Sequence, residues 1–350
     1  MTPAVLAGQL LVVGFAGAEL PLELARQLAA GTRAGVILFR RNLPDLPSSH
    51  ALLRAVAAVA ANATPPFVGV DEEGGRVRRL PAPFPGLPPM RSLGLQGDEA
   101  TCRATGAALG KGLRAVGFNL DFAPVLDVDT NPDNPVIGDR AFSSEPDTVA
   151  RLALAFAAGL RSAGIIPCGK HFPGHGDTET DSHLTLPRVT HSSERIESIE
   201  LAPFRAAAAA GLECLMSAHV VFDALDPGVP ATLSSRIATR LLREELGFRG
   251  VLFSDDLEMR ALAGRMSIEE SAVGAILAGC DVLLVCEHEE LAERAHAALA
   301  RECECSPAFR RRAEQAAERS GELRRRNPPR PVAPGSLMAA IEASGLNDPG

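Results

Sequence analysis

The sequence predicts a (β/α)8 TIM barrel of α/β class, a single domain with a short helical C-terminal extension. Three observations carry that prediction. Strand-like and helix-like stretches alternate eight times over roughly 300 residues, against ~250 for a barrel before insertions. The strand candidates are continuous apolar runs rather than strict alternations, as strands buried on both faces are. Finally, Asp71, Asp127, His171, His219 and Asp255 each sit at or just past the C-terminal end of a strand candidate. A barrel gathers those ends at one mouth, whereas a doubly wound open sheet would spread them along an edge.

In chain order, residues 4–16 come first. They are apolar but lack a basic leading segment and are broken by Gln9, so they read as a first helix running into a first strand. Predicted strands occupy residues 11–15, 35–39, 67–71, 119–125, 165–172, 214–220, 250–255 and 282–287. Amphipathic stretches between them predict helices, among them 22–30, 49–61, 99–116, 147–163, 193–210 and 235–246. No linker divides residues 1–305, which are assigned to the catalytic barrel. Residues 306–350 form an extension that packs on the barrel or frays from it: a polar helix at 307–326, a Pro-rich extended stretch at 327–334 and a last short helix at 337–343. The cluster Arg324-Arg325-Arg326 reads as a solvated helix end.

Composition narrows the function. A net charge of −8 argues against nucleic acid and anionic membrane as partners, and leaves small molecules. No apolar run approaches the roughly 20 residues that span a bilayer. Cys168, Cys214, Cys280 and Cys286 lie in or beside apolar runs, as buried reduced thiols do. Cys303 and Cys305 form a C-x-C with no second half, a poor zinc site. Reduced thiols suit a cytoplasmic protein. Trp and Tyr are absent while Phe occurs 14 times, which favours a short pocket with hydrogen-bonding walls over a long aromatic platform for sugars.

The chemistry concentrates in Lys170-His171-Phe172-Pro173-Gly174-His175-Gly176-Asp177-Thr178-Glu179-Thr180-Asp181-Ser182-His183, which holds three of the eight histidines. Asp181 and His183 are two apart, a spacing that points both side chains to one face of an extended segment. An aspartate on one ring nitrogen orients an imidazole and leaves the other to give and take a proton near neutral pH. In Phe253-Ser254-Asp255-Asp256-Leu257-Glu258 two carboxylates come directly after an apolar strand. Asp255 takes the chemical role, as nucleophile, base or metal ligand, and Asp256 that of a helix cap. Asp71-Glu72-Glu73-Gly74-Gly75-Arg76 ends a strand in acids, with a glycine pair that permits a tight turn. Arg140, in Ile137-Gly138-Asp139-Arg140, reads on its own as a surface residue. A hydrolytic metal site built from His171, His175, Asp177, Asp181 and His183 is the rival chemistry, though no H-E-x-x-H spacing supports it.

Taken together, KHFPGHGDTETDSH, FSDDLEM, DEEGGRVRR, IGDRAF, GVILFRRN and MSAHVVFDALDPGVPATLS resemble the single-domain bacterial β-N-acetylglucosaminidases of glycoside hydrolase family 3. The matches run in family order from about Leu11 to Glu287. The resemblance implies a retaining exo-β-N-acetylglucosaminidase acting on a terminal β-GlcNAc of muropeptides, and the expectation is a cytoplasmic monomer that needs no cofactor or metal. It places the nucleophile on Asp255, an Asp–His acid/base dyad on Asp181 and His183, and sugar contacts on Asp71, Arg79, Arg140, Lys170 and His171. A β-GlcNAc phosphorylase, a β-glucosidase and a non-catalytic sugar-binding relative remain alternatives. The sequence departs from the family at Glu72, where Gln is usual; on the pocket wall that residue would add negative charge.

Overall fold

A computed structural model of the chain describes residues 1–59, 64–178 and 186–346. Eight parallel strands close a barrel: β1 (Leu11–Val13), β2 (Gly35–Leu38), β3 (Phe67–Val70), β4 (Leu120–Asp121), β5 (Ile166–Phe172), β6 (Cys214–Ser217), β7 (Val251–Asp256) and β8 (Val282–Val285). Each strand pairs with its neighbours in sequence, and β8 returns to β1 through Leu11 opposite Leu283. Every predicted strand is present. Most are shorter than their apolar runs, and the reason is plain at β4. Pro124 has no N–H to donate, so the regular ladder breaks after Asp121 and resumes only as a bridge between Val125 and Lys170.

Two apolar layers hold the barrel. Inward side chains, among them Val12, Phe67, Phe122, Cys168, Met216 and Phe253, form the inner core. The ring of Phe253 meets Phe67 at 5.2 Å and Phe122 at 5.4 Å, both edge-on, the favoured geometry for aromatic pairs. Outward side chains such as Leu11, Val36 and Val68 pack under the helical ring. Helices Leu22–Ala30, Leu46–Val59, Glu99–Val116 and Pro146–Ser162 fall close to their predicted positions. The predicted helix at 193–210 is two helices, Ser193–Ser198 and Ala202–Ala209. Pro203 explains the break, because proline is accommodated in a first helical turn and not in a helix interior.

The polar helix Pro307–Arg326 buries Phe309, Ala313, Ala316, Ala317, Ser320 and Arg324 along one stripe. It meets the N-terminal ends of the strands. Asp281, just before β8, receives Arg312 at 2.9 Å, Arg319 at 2.6 Å and Arg243 at 2.6 Å. Arg324 corrects the expectation of a solvated helix end: it is 1% exposed. It donates to Gln9 Oε1 at 2.5 Å and to the Ala34 carbonyl at 3.3 Å, with its guanidinium 5.5 Å from the Phe67 ring centroid. Burial, and then the charge of Arg325, pull its pKa down to about 10. Arg325 and Arg326 are exposed as expected. Among the described residues no helix is long and apolar enough to cross a membrane.

Candidate active site

At the C-terminal ends of the strands lies a cavity of about 230 Å³, lined by Asp71, Glu73, Arg140, Lys170, His171 and Asp255 together with apolar side chains such as Phe39 and Met216. The strand ends deliver the polar residues. β3 runs directly into Asp71 and Glu73, whose spacing of two sets both on one face. Gly74 and Gly75 then turn the chain back with φ of 95° and 55°, a backbone region open to glycine and costly to other residues.

Lys170, near the end of β5, is 2% exposed and lies at the centre of the charge cluster. Its Nζ stands 2.8 Å from Asp71 and 2.5 Å from Glu73. Arg140 grips both oxygens of Glu73, at 2.8 and 2.9 Å, the bidentate fork that carboxylates bind best. Burial works against all four charges, and the partners outweigh it. Glu73 is held well below the usual carboxylate range by Arg140 and Lys170. Asp71 is held below it by Lys170 and Arg79. Lys170 and Arg140 are raised by the same acids. Four fixed charges with spare donors and acceptors form a wall suited to sugar hydroxyls. Arg79 reaches Asp71 at 3.5 Å, with its guanidinium 5.7 Å from the Phe39 ring centroid.

His171 donates from Nδ1 to Asp127 at 2.7 Å, which fixes its tautomer. Asp127 also accepts the backbone N–H groups of His171 at 3.1 Å and His175 at 2.8 Å, so one carboxylate organises the whole Lys170–Thr178 turn. Gly176 is required there, since a Cβ would stand 1.8 Å from the Val128 carbonyl oxygen. His175 Nδ1 meets Thr178 Oγ1 at 2.7 Å, and burial followed by the nearby His171 push its pKa down to about 4. Asp177 turns elsewhere, to Thr130, His191 and Arg195. Among the described residues no group of three or more His, Cys, Asp or Glu side chains is arranged to hold a metal ion.

Asp255, next to last in β7, lies on the cavity wall and its Oδ1 accepts the N–H of Asp256 at 2.8 Å. Asp256 is no helix cap, because the next helix, Arg260–Ala263, starts after Met259. Its Oδ1 instead accepts the N–H groups of Glu258 at 3.1 Å and Cys286 at 3.2 Å, tying β7 to the end of β8. Burial raises its pKa to about 7, with Glu258 and Asp255 adding to the effect. His219 reaches the Asp256 carbonyl at 2.9 Å and Thr232 at 2.8 Å.

The structure therefore brings Asp71, Arg79, Arg140, Lys170, His171 and Asp255 onto one cavity. Arg140, which reads alone as a surface residue, is half-buried and paired with Glu73. Glu73 and Asp127 were not assigned roles from sequence. The spacing of Glu73 from Asp71, and the position of Asp127 just past a strand end, were the available signals. Glu72 is not on the cavity wall. It is buried, and its Oε2 accepts the N–H groups of Arg79 at 2.7 Å and Leu80 at 3.1 Å. Asp181 and His183 lie outside the described residues.

Residues 6–317 match the family described as glycosyl hydrolase family 3 N terminal domain. A β-hexosaminidase of Thiobacillus denitrificans is 43% identical over 295 residues, 83% of this chain and 81% of that protein. The glycoside hydrolase family 3 β-N-acetylglucosaminidase of Paenibacillus sp. str. FPU-7 superposes with a TM-score of 0.90 at 36% identity, covering 98% of this chain and 68% of that one. NagZ from Neisseria gonorrhoeae superposes with a TM-score of 0.74 at 34% identity, covering 89% of this chain and 98% of that one.

Proposed function

The chain belongs to glycosyl hydrolase family 3 and is a β-N-acetylhexosaminidase of that family, and we propose that it removes terminal β-GlcNAc from muropeptides through a covalent intermediate on Asp255. One observation carries this reading: Asp255 shares a small cavity with a fixed set of charged hydroxyl-binding groups, Asp71, Glu73, Arg140, Lys170 and His171. A cavity of this size suits one terminal sugar, hence exo action.

In the first step an oxygen of Asp255 bonds to the anomeric carbon while the bond to the leaving oxygen breaks. His183, oriented by Asp181, gives that oxygen its proton. In the second step His183 takes a proton from water, whose oxygen attacks the same carbon. The glycosyl–Asp255 bond breaks and the sugar leaves with its configuration retained. Oδ1 of Asp255 is anchored by the Asp256 N–H, which leaves Oδ2 as the attacking atom in this scheme. In this reading the enzyme acts as a cytoplasmic monomer on small carbohydrates, without nucleic acid, membrane, metal or cofactor.

The first test is hydrolysis of an aryl β-GlcNAc beside the matching β-glucoside, with and without phosphate. Selective release of GlcNAc, independent of phosphate, is expected. GlcNAc-1-phosphate as product would contradict hydrolysis, and equal turnover of the glucoside would contradict the sugar assignment. The His183→Ala variant tests the acid. It should lose about a hundredfold or more in kcat/KM on a disaccharide and little in kcat/KM on an activated aryl glycoside, whose leaving oxygen needs no proton. Its kcat on the aryl glycoside should fall, because His183 also activates the water of the second step. Equal losses in kcat/KM on both would remove His183 from that role.

A further inference from the structure

Asp256 lies on the wall of the sugar cavity beside Asp255, yet the two-step scheme gives its carboxyl no part. Neighbours in a regular strand point to opposite faces, so Asp255 and Asp256 should not share a wall. A bulge removes the alternation. Phe253 pairs with Val282 but Asp256 with Leu284, so β7 advances three residues while β8 advances two. An extra residue of this kind re-aims the side chains around it, and such bulges recur beside active sites.

The bulged segment is held from both neighbouring strands. The Asp256 N–H donates to Oδ1 of Asp255 at 2.8 Å, and the Asp256 carbonyl accepts from Nε2 of His219, just past β6, at 2.9 Å. Oδ1 of Asp256 accepts the N–H of Glu258 at 3.1 Å and that of Cys286, just past β8, at 3.2 Å. Oδ2 of Asp256 takes no hydrogen bond among the described residues. The titratable and charged groups around this carboxyl are Asp255 on its own strand, Glu258 on the next loop, His219 from β6 and Cys286 from β8. Arg41, on the turn after β2, stands behind them and donates to the Cys286 carbonyl. Glu258 is committed to His288 at 2.6 Å, and burial holds the Cys286 thiol well above its ordinary value, hence neutral. Burial, with Glu258 and Asp255 adding to it, raises the Asp256 carboxyl to about 7.

We propose that Asp256 is a positioning residue for the nucleophile: its carboxyl braces β7 against β8 so that Oδ2 of Asp255 meets the anomeric carbon, and its negative charge, once the proton has left to water, favours the attack. The inference rests on the hexosaminidase reading and adds a group that controls the first step without touching the sugar. A second carboxylate raises the energy of the Asp255 carboxylate and stabilises positive charge on the sugar ring in the transition state. Bond formation neutralises Asp255 and relieves the repulsion, so the effect is larger in the transition state than before it.

The test is kcat/KM against pH on an activated aryl β-GlcNAc, which reports the first step free of the proton donated to the leaving oxygen. Wild-type protein should gain about fivefold between pH 6 and pH 8, as Asp256 ionises through about 7. Asp256→Asn keeps an oxygen for both N–H groups but cannot ionise, so its kcat/KM should vary by less than about twofold over that range. Asp256→Ala also loses the brace and should fall about tenfold or more below Asp256→Asn at pH 6, where the wild-type carboxyl is largely neutral. A rise that persists in Asp256→Asn, a level wild-type profile, or Ala and Asn variants alike at pH 6 would each overturn the proposal. Should Asp256→Ala not fold, the wild-type and Asn profiles decide it. Failure of the wild-type enzyme on the aryl glycoside would instead overturn the hexosaminidase reading on which it rests.

Discussion

Glu73 is the residue on which the charged wall depends. It accepts Arg140 in a fork and Lys170 from the side, and is 2% exposed. Removing Arg140 takes two charged hydrogen bonds from Glu73 and leaves Lys170, which also serves Asp71, as its remaining partner, so Arg140→Ala should cost about 2–3 kcal/mol. Urea unfolding at unchanged m-value is the check, and a loss below about 1 kcal/mol would contradict the pairing. Glu72 behaves in the opposite sense. Burial raises its carboxyl to about 7, with the N–H groups of Arg79 and Leu80 only partly offsetting the rise. A carboxyl whose pKa is higher in the folded state stabilises fully below its unfolded value, and that contribution is lost as pH rises through the folded value. Between pH 4.5 and about 7 the native chain should therefore lose stability relative to Glu72→Gln. The variant keeps an oxygen for both N–H groups and should be the more stable protein at pH 8. Equal stability of the two at pH 8 would refute this assignment. The sequence flagged Glu72 as a departure from the family, but its position behind the wall depends on a turn whose path no local pattern specifies.

At the scale of elements, the strands were legible because each is a short apolar run bounded by turn residues, and burial on both faces demands that pattern. The loops were less so. Arg140 is separated from Glu73 by 67 residues, and nothing near either one announces the partner. The same limit applied to the helix Pro307–Arg326. Its composition is polar, yet Arg324 is spent on Gln9 and the Ala34 carbonyl beneath the barrel. Arg324→Ala should destabilise the protein by about 2–3 kcal/mol through the lost charged hydrogen bonds. Arg325→Ala, on the exposed side, should change it by less than about 0.5 kcal/mol. Thermal melts of both variants decide the point, and equal shifts would mean that Arg324 carries no special load.

The whole molecule explains why residues far apart in sequence act together. Closing eight strands in sequence order delivers the ends of β3, β5 and β7 to one cavity, and with them Asp71, Lys170 and Asp255. The opposite end is sealed by the arginines of the last long helix around Asp281 and Gln9. Stability is thus built at one end and chemistry at the other, a division characteristic of this fold. The fold class and most of the residues that line the cavity were legible in strand ends and motif order. Glu73 and Asp127 were not, because their roles are to hold other site residues in place. The central claim is that Asp255 becomes glycosylated. The most direct measurement is to incubate the protein with a 5-fluoro-β-GlcNAc glycoside bearing an activated leaving group, which slows release of the intermediate, and to map the labelled peptide by mass spectrometry. One added sugar is expected on the peptide carrying Asp255, and none in the Asp255→Ala variant, whose turnover should fall by more than about a thousandfold. A sugar attached to Asp71 or Asp256, or turnover of the variant near the wild-type rate, would contradict the claim.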